Sequence, residues 1–322
     1  MFEKPIFASL LFLLSILPAQ SQQLAQWSQS WFTIWQDNPA AMAQQNDARF
    51  TAGARFQWLG IDKSPYTQYV GFELPLPKIR SGAAVYMKND RVGALRITNA
   101  KLALNKKFSF GKQTLTAGVD AGIVQYALLS NQLITPDGLY EGVIDHQDAL
   151  LASQTQQVML AEIGVGLHWK NESGWQIGAA LRPINASQVK LGENSQSLLR
   201  TQMHAIVQTR YQWETRLPFD VDLFAVVVSD GAIMQTQIGG VLVFDALQVG
   251  MALRGYSQQS LDAASAMLSW QVFDKLKLGY AYDLGISKLK NYNSGSHEVN
   301  LVYNLHILPN SQPKIMYNPR FL

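Results

Sequence analysis

In Leu276-Lys277-Leu278-Gly279-Tyr280-Ala281-Tyr282-Asp283-Leu284-Gly285-Ile286, large apolar and aromatic side chains take every even position. Small or polar residues take every odd one. A period of two marks an extended strand with one oily face and one polar face. The length suits a tilted strand crossing a bilayer, which needs about 9–11 residues. The pattern recurs. Val299, Leu301, Tyr303, Leu305 and Ile307 alternate with Glu298, Asn300, Asn304 and His306; Leu247, Val249, Met251 and Leu253 alternate with Gln248, Gly250, Ala252 and Arg254. Trp175, Ile177, Ala179 and Leu181 alternate with Gln176, Gly178, Ala180 and Arg182.

Fourteen such segments are expected, at 48–60, 66–76, 81–88, 93–107, 113–127, 158–169, 175–183, 199–213, 219–228, 232–244, 246–257, 262–273, 275–286 and 297–307. Their connections sort by length: every long one, 128–157 above all, falls on one side, and the other side keeps short turns. Transmembrane barrels have long outer loops and short periplasmic turns, whereas a soluble sandwich has no reason to sort its loops. Phe108/Phe110, Trp169/Trp175, Trp213/Phe219 and Trp270/Phe273 flank the short turns, as an interfacial aromatic girdle would.

Composition agrees. Of 322 residues only 15% are charged, yet 30 are Gln; mean hydropathy is −0.03. After residue 21 no apolar run is long enough for a membrane helix. A hydrophobic fraction of 48% excludes disorder. A net charge of +3, spread along the chain, gives no nucleic-acid footprint. The absence of Cys excludes disulfides, thiolate metal sites and a lipoprotein anchor. Lys4, the apolar Ile6–Leu17 stretch and Ala19-x-Ser21 read as a secretory signal peptide. The expected organisation is a cleaved signal peptide at 1–21, an N-terminal periplasmic or plug segment at 22–47, one all-β antiparallel transmembrane barrel of about fourteen strands at 48–307, and a periplasmic tail at 308–322. The chain would be integral to a Gram-negative outer membrane.

Particular residues then gain meaning. Asn38-Pro39-Ala40 follows a Gln-rich aromatic stretch, and Gln57-Trp58-x-Gly60 ends the first strand. Gly279-Tyr280-Ala281-Tyr282-Asp283 and Gly295-Ser296-His297-Glu298 form the last hairpin, and Tyr317-Asn318-Pro319-Arg320-Phe321-Leu322 ends the chain. Their order and spacing resemble the PorP/SprF family of the type IX secretion system of Bacteroidetes-type bacteria. The resemblance implies an outer-membrane barrel that supports secretion or surface anchoring of a large protein with a C-terminal sorting domain, of the adhesin and gliding type. It also implies contact with periplasmic secretion or gliding components. The residues carrying that role would be Asn38, Pro39, Gln57, Trp58, Tyr282, Asp283, Gly295, His297, Glu298, Asn318, Pro319 and Arg320.

By parity Asp283 and Glu298 face the lumen, and a hairpin closing at 287–296 would set Asp283 opposite Asn300. They either hold a ligand or plug near the outer mouth or satisfy each other; mutual satisfaction is the commoner role. His297 has the opposite parity and is expected at the interface. His146, His168, His204 and His306 lack metal-ligand spacing. Leu24, Trp27, Trp31, Ile34 and Trp35 have helical spacing before Asn38-Pro39, suiting a short amphipathic helix that plugs the barrel or lies at the interface. The 128–157 loop carries Asp137, Glu141, Asp145, His146 and Asp148, yet it is apolar for a wetted loop; it is expected to fold over the mouth or present a docking face. No GxSxG elbow, phosphate loop or acid/base carboxylate pair supports catalysis. The expected protein is non-enzymatic, with no cofactor, no metal and no nucleic-acid partner. It is bathed by outer-membrane lipid and grips a secreted protein. The second reading is a transporter or pore for small or hydrophobic solutes, and conductance separates the two.

Overall fold

Strands dominate because the alternating stretches satisfy their backbone only by pairing with neighbours, and in lipid only a closed sheet leaves no group unpaired. The computed structural model describes residues 25–139, 146–147, 155–190, 198–256 and 260–306. The strands are β1 (Ala48–Phe56), β2 (Tyr66–Leu76), β3 (Ser81–Val92), β4 (Leu95–Phe110), β5 (Gln113–Leu128), β6 (Gln156–Asn171), β7 (Trp175–Arg182), β8 (Gln188–Lys190), β9 (Leu198–Arg200), β10 (His204–Trp213), β11 (Asp220–Ser229), β12 (Met234–Val243), β13 (Leu247–Tyr256), β14 (Ser260–Phe273), β15 (Leu276–Gly285) and β16 (Ser296–Leu305). Fourteen of them close into one antiparallel barrel, β1 pairing with β16; β8 and β9 form a separate hairpin outside it. Among the described residues no helix is long and apolar enough to cross a membrane.

The alternation becomes sidedness. Leu278 and Tyr280 lie outward, 38% and 43% exposed, while Ala281 and Asp283 face inward at 1% and 2%. Phe110, Trp175, Trp213, Trp270 and Phe273 all lie exposed at the end with the short turns.

Several boundaries differ from the sequence expectation. β1 ends at Phe56, so Gln57 and Trp58 sit in the turn beyond it, Trp58 at φ +54. The loop expected at 89–92 is strand: Asp90 and Arg91 pair with Ile97 and Arg96, and the turn tightens onto Gly93 at φ +59. Residues 198–200 belong to the external hairpin, and β10 begins only at His204. Asp283 does not face Asn300. The register pairs Asp283 with Ser296 and Asn300 with Gly279. Gly295, at φ +88, turns the chain directly into β16, and pairing starts at Asp283–Ser296, farther down β15 than a 287–296 closure assumed.

The N-terminal segment runs inside the barrel. Helix α1 (Ser30–Asp37) buries Phe32, Thr33, Trp35 and Gln36, and Asn38 caps its end through a backbone bond to Ile34. Pro39 follows and cannot continue the helix. Trp27, Trp35, Met42 and Ala43 pack with Tyr69, Ala84, Tyr86 and Ala103 of β2–β4, while Trp31 meets Phe224 of β11 edge-on at 5.3 Å. Glycine on the wall makes room. A Cβ at Gly71 would lie 2.1 Å from Trp35 Cη2, and one at Gly118 2.4 Å from Ala40 N.

Candidate functional site

The helix enters the lumen on a charge cluster from four strands. Arg55 (β1) donates to Asp283 (β15) at 2.5 Å and to Glu298 (β16) at 3.1 Å; Arg254 (β13) reaches Asp283 at 3.4 Å. The helix entry threads this square. Ser28 Oγ donates to Asp283 at 2.6 Å and accepts from Arg55 and Arg254 at 2.8 and 2.9 Å. The backbone N–H groups of Ser28 and Gln29 donate to the two Glu298 oxygens at 2.6 and 3.0 Å. Asn300 donates to Glu298 and to the Gln29 side chain, and Gln237 donates to Ser28 O. Two guanidiniums balance two carboxylates, and all four side chains are at most 4% exposed. Buried charges of this kind persist only when paired and hydrogen-bonded.

A second network holds the other end of the helix. Lys101 lies 2.9 Å from Glu162 and 3.5 Å from Asp120, and Arg182 lies 3.4 Å from Asp120. Arg182 also donates to Gln36 O and to the Tyr86 hydroxyl. A third holds the exit: Arg49 bonds Glu73 at 2.6 Å, and Glu73 accepts from Ala43 N at 2.7 Å. Asn38 donates to Leu167 O at 3.0 Å, and Asn105 to Met42 O at 2.8 Å. The segment is thus tethered to wall charges at its start, middle and end. Beside it is a cavity of about 80 Å³ lined by Lys88, Asp90, Tyr126, Glu162, Arg182 and His204 among others, and a larger one of about 490 Å³ opens at the short-turn end beside Arg210, Asp222 and Gln248.

The residues singled out in the sequence fall into separate places. Asp283 and Glu298 meet in the entry square. Asn38 and Pro39 form the corner after α1, where Asn38 accepts from Ala40 N. The remaining group builds the outer seam where the barrel closes. Gln57 N donates to Pro65 O, and Trp58 N to Ser296 Oγ. Leu59 and the 294–295 backbone exchange bonds across the β1–β2 and β15–β16 loops. Tyr282 donates to Ser294 O at 3.1 Å and stands over His297 at 5.1 Å between rings; His297 Nδ1 lies 2.7 Å from the Tyr280 hydroxyl. A Cβ at Gly295 would touch the Tyr282 hydroxyl at 2.6 Å. Asn318, Pro319 and Arg320 lie outside the described residues, as do residues 1–24 and Glu141, Asp145 and Asp148 of the long loop. The described start of that loop leans on the seam, where Gln132 accepts from Lys63 and Arg91.

The sequence reading passed over Arg55, Ser28, Arg182, Lys101, Asp120 and Glu73. Most of these are charges at inward parity in strands, which is a legible signal. Ser28 carries no signal at all. Among the described residues no group of His, Asp and Glu could hold a metal ion.

A family model described as "Type IX secretion system membrane protein PorP/SprF" matches residues 19–303. No curated protein matches the chain. Among solved structures, the chain is similar to a deltaS2S3 mutant of the TodX monoaromatic hydrocarbon channel, at 11% identity and TM-score 0.51, covering 83% of this chain and 92% of that one. It is also similar to a Pseudomonas aeruginosa FadL homologue, at 12% identity and TM-score 0.50, covering 84% and 93%. At such identities the likeness shows the barrel fold alone.

Proposed function

The chain belongs to the PorP/SprF family of type IX secretion system membrane proteins, and from that premise we propose that it works by binding rather than by conduction or catalysis. It sits in the outer membrane and supports secretion or surface anchoring of a large protein whose C-terminal sorting domain it grips at the outer mouth. The observation that carries this reading is the filled lumen: the chain's own N-terminal segment crosses it, held by three ion networks. A lumen crossed by a segment tethered at its start, middle and end speaks against the transporter reading. The proposal extends to the ends of the chain. Residues 1–21 direct export and are removed, and the 308–322 tail, with Asn318, Pro319 and Arg320, meets periplasmic secretion or gliding components.

The test is a mild-detergent pull-down of the tagged chain from native outer membranes, read by mass spectrometry, beside planar-bilayer recordings. A large sorting-domain protein in near-equal amount, with a nearly silent barrel, is the expected result. A solitary barrel that conducts steadily would overturn it.

A further inference from the structure

Among the described residues the barrel wall is complete in its lower part and interrupted above beside β6. β6 pairs with β5 along its whole length, Gln156 to Asn171. On its other side it pairs with β7 only from Val165 to Lys170. β7 ends at Arg182, and β10 beyond it begins at His204. Among the described residues the outer part of β6 is therefore paired along one edge only.

The chain completes that edge for a short distance by other means. Ile184 N donates to Ile163 O at 2.8 Å. The Asn185 side chain accepts from Ile163 N at 2.9 Å and donates to Ala161 O at 2.8 Å, imitating a strand residue. These bonds fix the parity: odd-numbered β6 residues present their backbone to the open side. Beyond them the imitation stops. The N–H and C=O of Met159 and Gln157 meet no backbone or side-chain partner there among the described residues.

Exposed edges are ordinarily blunted by Lys, Pro or a bulge. Gln156-Gln157-Val158-Met159-Leu160-Ala161 contains no charge and no Pro, and its pairing to β5 runs without a register shift. Counting about 9–11 residues up from the girdle residue Trp169 puts the outer membrane boundary near 159–161. The open groups thus lie at or above the lipid surface, where water tolerates them and a peptide can reach them. The inner face beside the edge is apolar: Val124 and Tyr126 are buried, with Ile97, Val158 and Leu160 packed on them. Across the gap stand the base of the β8–β9 hairpin, where Ser187 and Thr201 bond each other, and Thr201, Gln202 and His204, which line the same cavity as Tyr126 and Glu162. A slot with two flanks admits one extended chain rather than the broad wall of a second barrel, and lipid cannot supply alternating backbone donors and acceptors.

We propose that the β6 edge from Gln157 to Ala161 takes up an extended segment of the exported partner by β-strand addition. The segment places apolar side chains toward Val158 and Leu160. Backbone pairing supplies affinity with little sequence demand, and the apolar side supplies register. The proposal rests on the partner-binding function above and names the surface that performs it.

The test compares Met159→Pro with Met159→Ala in the full chain, pulled down from native outer membranes. Proline removes the open N–H and no bond to β5; alanine keeps the N–H and trims the side chain, which is 63% exposed. Heat-modifiable gel mobility confirms that each barrel is folded. The surface protein retained by the wild-type chain is quantified by its peptides. Met159→Pro is expected to lower it about tenfold or more, from lost and misaligned backbone bonds, with Met159→Ala near wild type. Amides at 157–161 are expected to gain exchange protection only in the wild-type and alanine complexes. Retention by folded Met159→Pro, or equal loss in both variants, overturns the edge proposal and leaves the partner-binding function standing. Spontaneous disulfide dimers of Met159→Cys, in a chain with no other Cys, would assign the edge to a second copy and also overturn it. If the wild-type chain retains no surface protein, the underlying function falls and this proposal with it.

Discussion

Arg55→Ala tests whether the entry square holds the helix in the lumen. Arg55 is the cation nearest to both carboxylates, at 2.5 Å from Asp283 and 3.1 Å from Glu298. Without it Arg254 is left, at 3.4 Å from Asp283 alone, and Glu298, 0% exposed, keeps only neutral donors. Breaking one side of a buried pair costs about 3–5 kcal/mol, because a charge stays buried without its partner. The barrel need not bear that cost. If residues 25–47 leave the lumen, water reaches both carboxylates, so the loss falls on helix seating and is capped by it. A shift of about 3 kcal/mol is roughly 150-fold in the seated-to-released ratio. The expected phenotype is a folded, heat-modifiable barrel with bursts of conductance in planar bilayers and rapid proteolysis within residues 25–47. The double variant Arg55→Ala/Glu298→Gln leaves one guanidinium facing one carboxylate and is expected to recover most of the loss. A silent, protease-resistant Arg55→Ala barrel would refute the reasoning, and so would a double variant as leaky as the sum of its parts.

Three further outcomes follow from the same geometry. Gly71→Ala sets a methyl 2.1 Å from Trp35 Cη2, so the indole must move and the helix with it; increased conductance and a loosened Trp environment by fluorescence are expected, and an unchanged spectrum would contradict the packing. Lys101→Met leaves Asp120 to Arg182 and strips Glu162 of its cation. Denaturant unfolding in detergent is expected to register about 3 kcal/mol, the low end for a broken buried pair because Glu162 is partly wetted, and Lys101→Met/Glu162→Gln should regain most of it. Deleting 131–148 should leave barrel mobility and stability unchanged while reducing partner retention; full retention would remove that loop from the docking surface.

The barrel was legible in the sequence because its cause is local. A strand buried between lipid and lumen must alternate, and the alternation survives in any short window, so Leu276–Ile286 and its repeats declared their faces without knowledge of their neighbours. The same parity put Asp283 and Glu298 inside. Loop sorting was legible too, since turn length is counted along the chain. Register was not. Shifting one strand of a hairpin by an even number of residues keeps every face, so nothing in the pattern distinguishes Asp283 opposite Ser296 from Asp283 opposite Asn300, four positions on; the left-handed Gly295 decides it. Partners remote in sequence were equally hidden. Ser28 lies 270 positions from the Glu298 it bonds, and Arg55 lies 243 from the same carboxylate. Sequence placed Trp31, Ile34 and Trp35 on a helix but ran that helix back through Trp27, whereas α1 begins at Ser30; only closure of the barrel supplied the Gly71 and Gly118 recesses and the paired charges that seat it. The open edge of β6 is of the same kind. It comes from β7 ending at Arg182 while β6 runs on, a difference between two strands that neither strand carries alone.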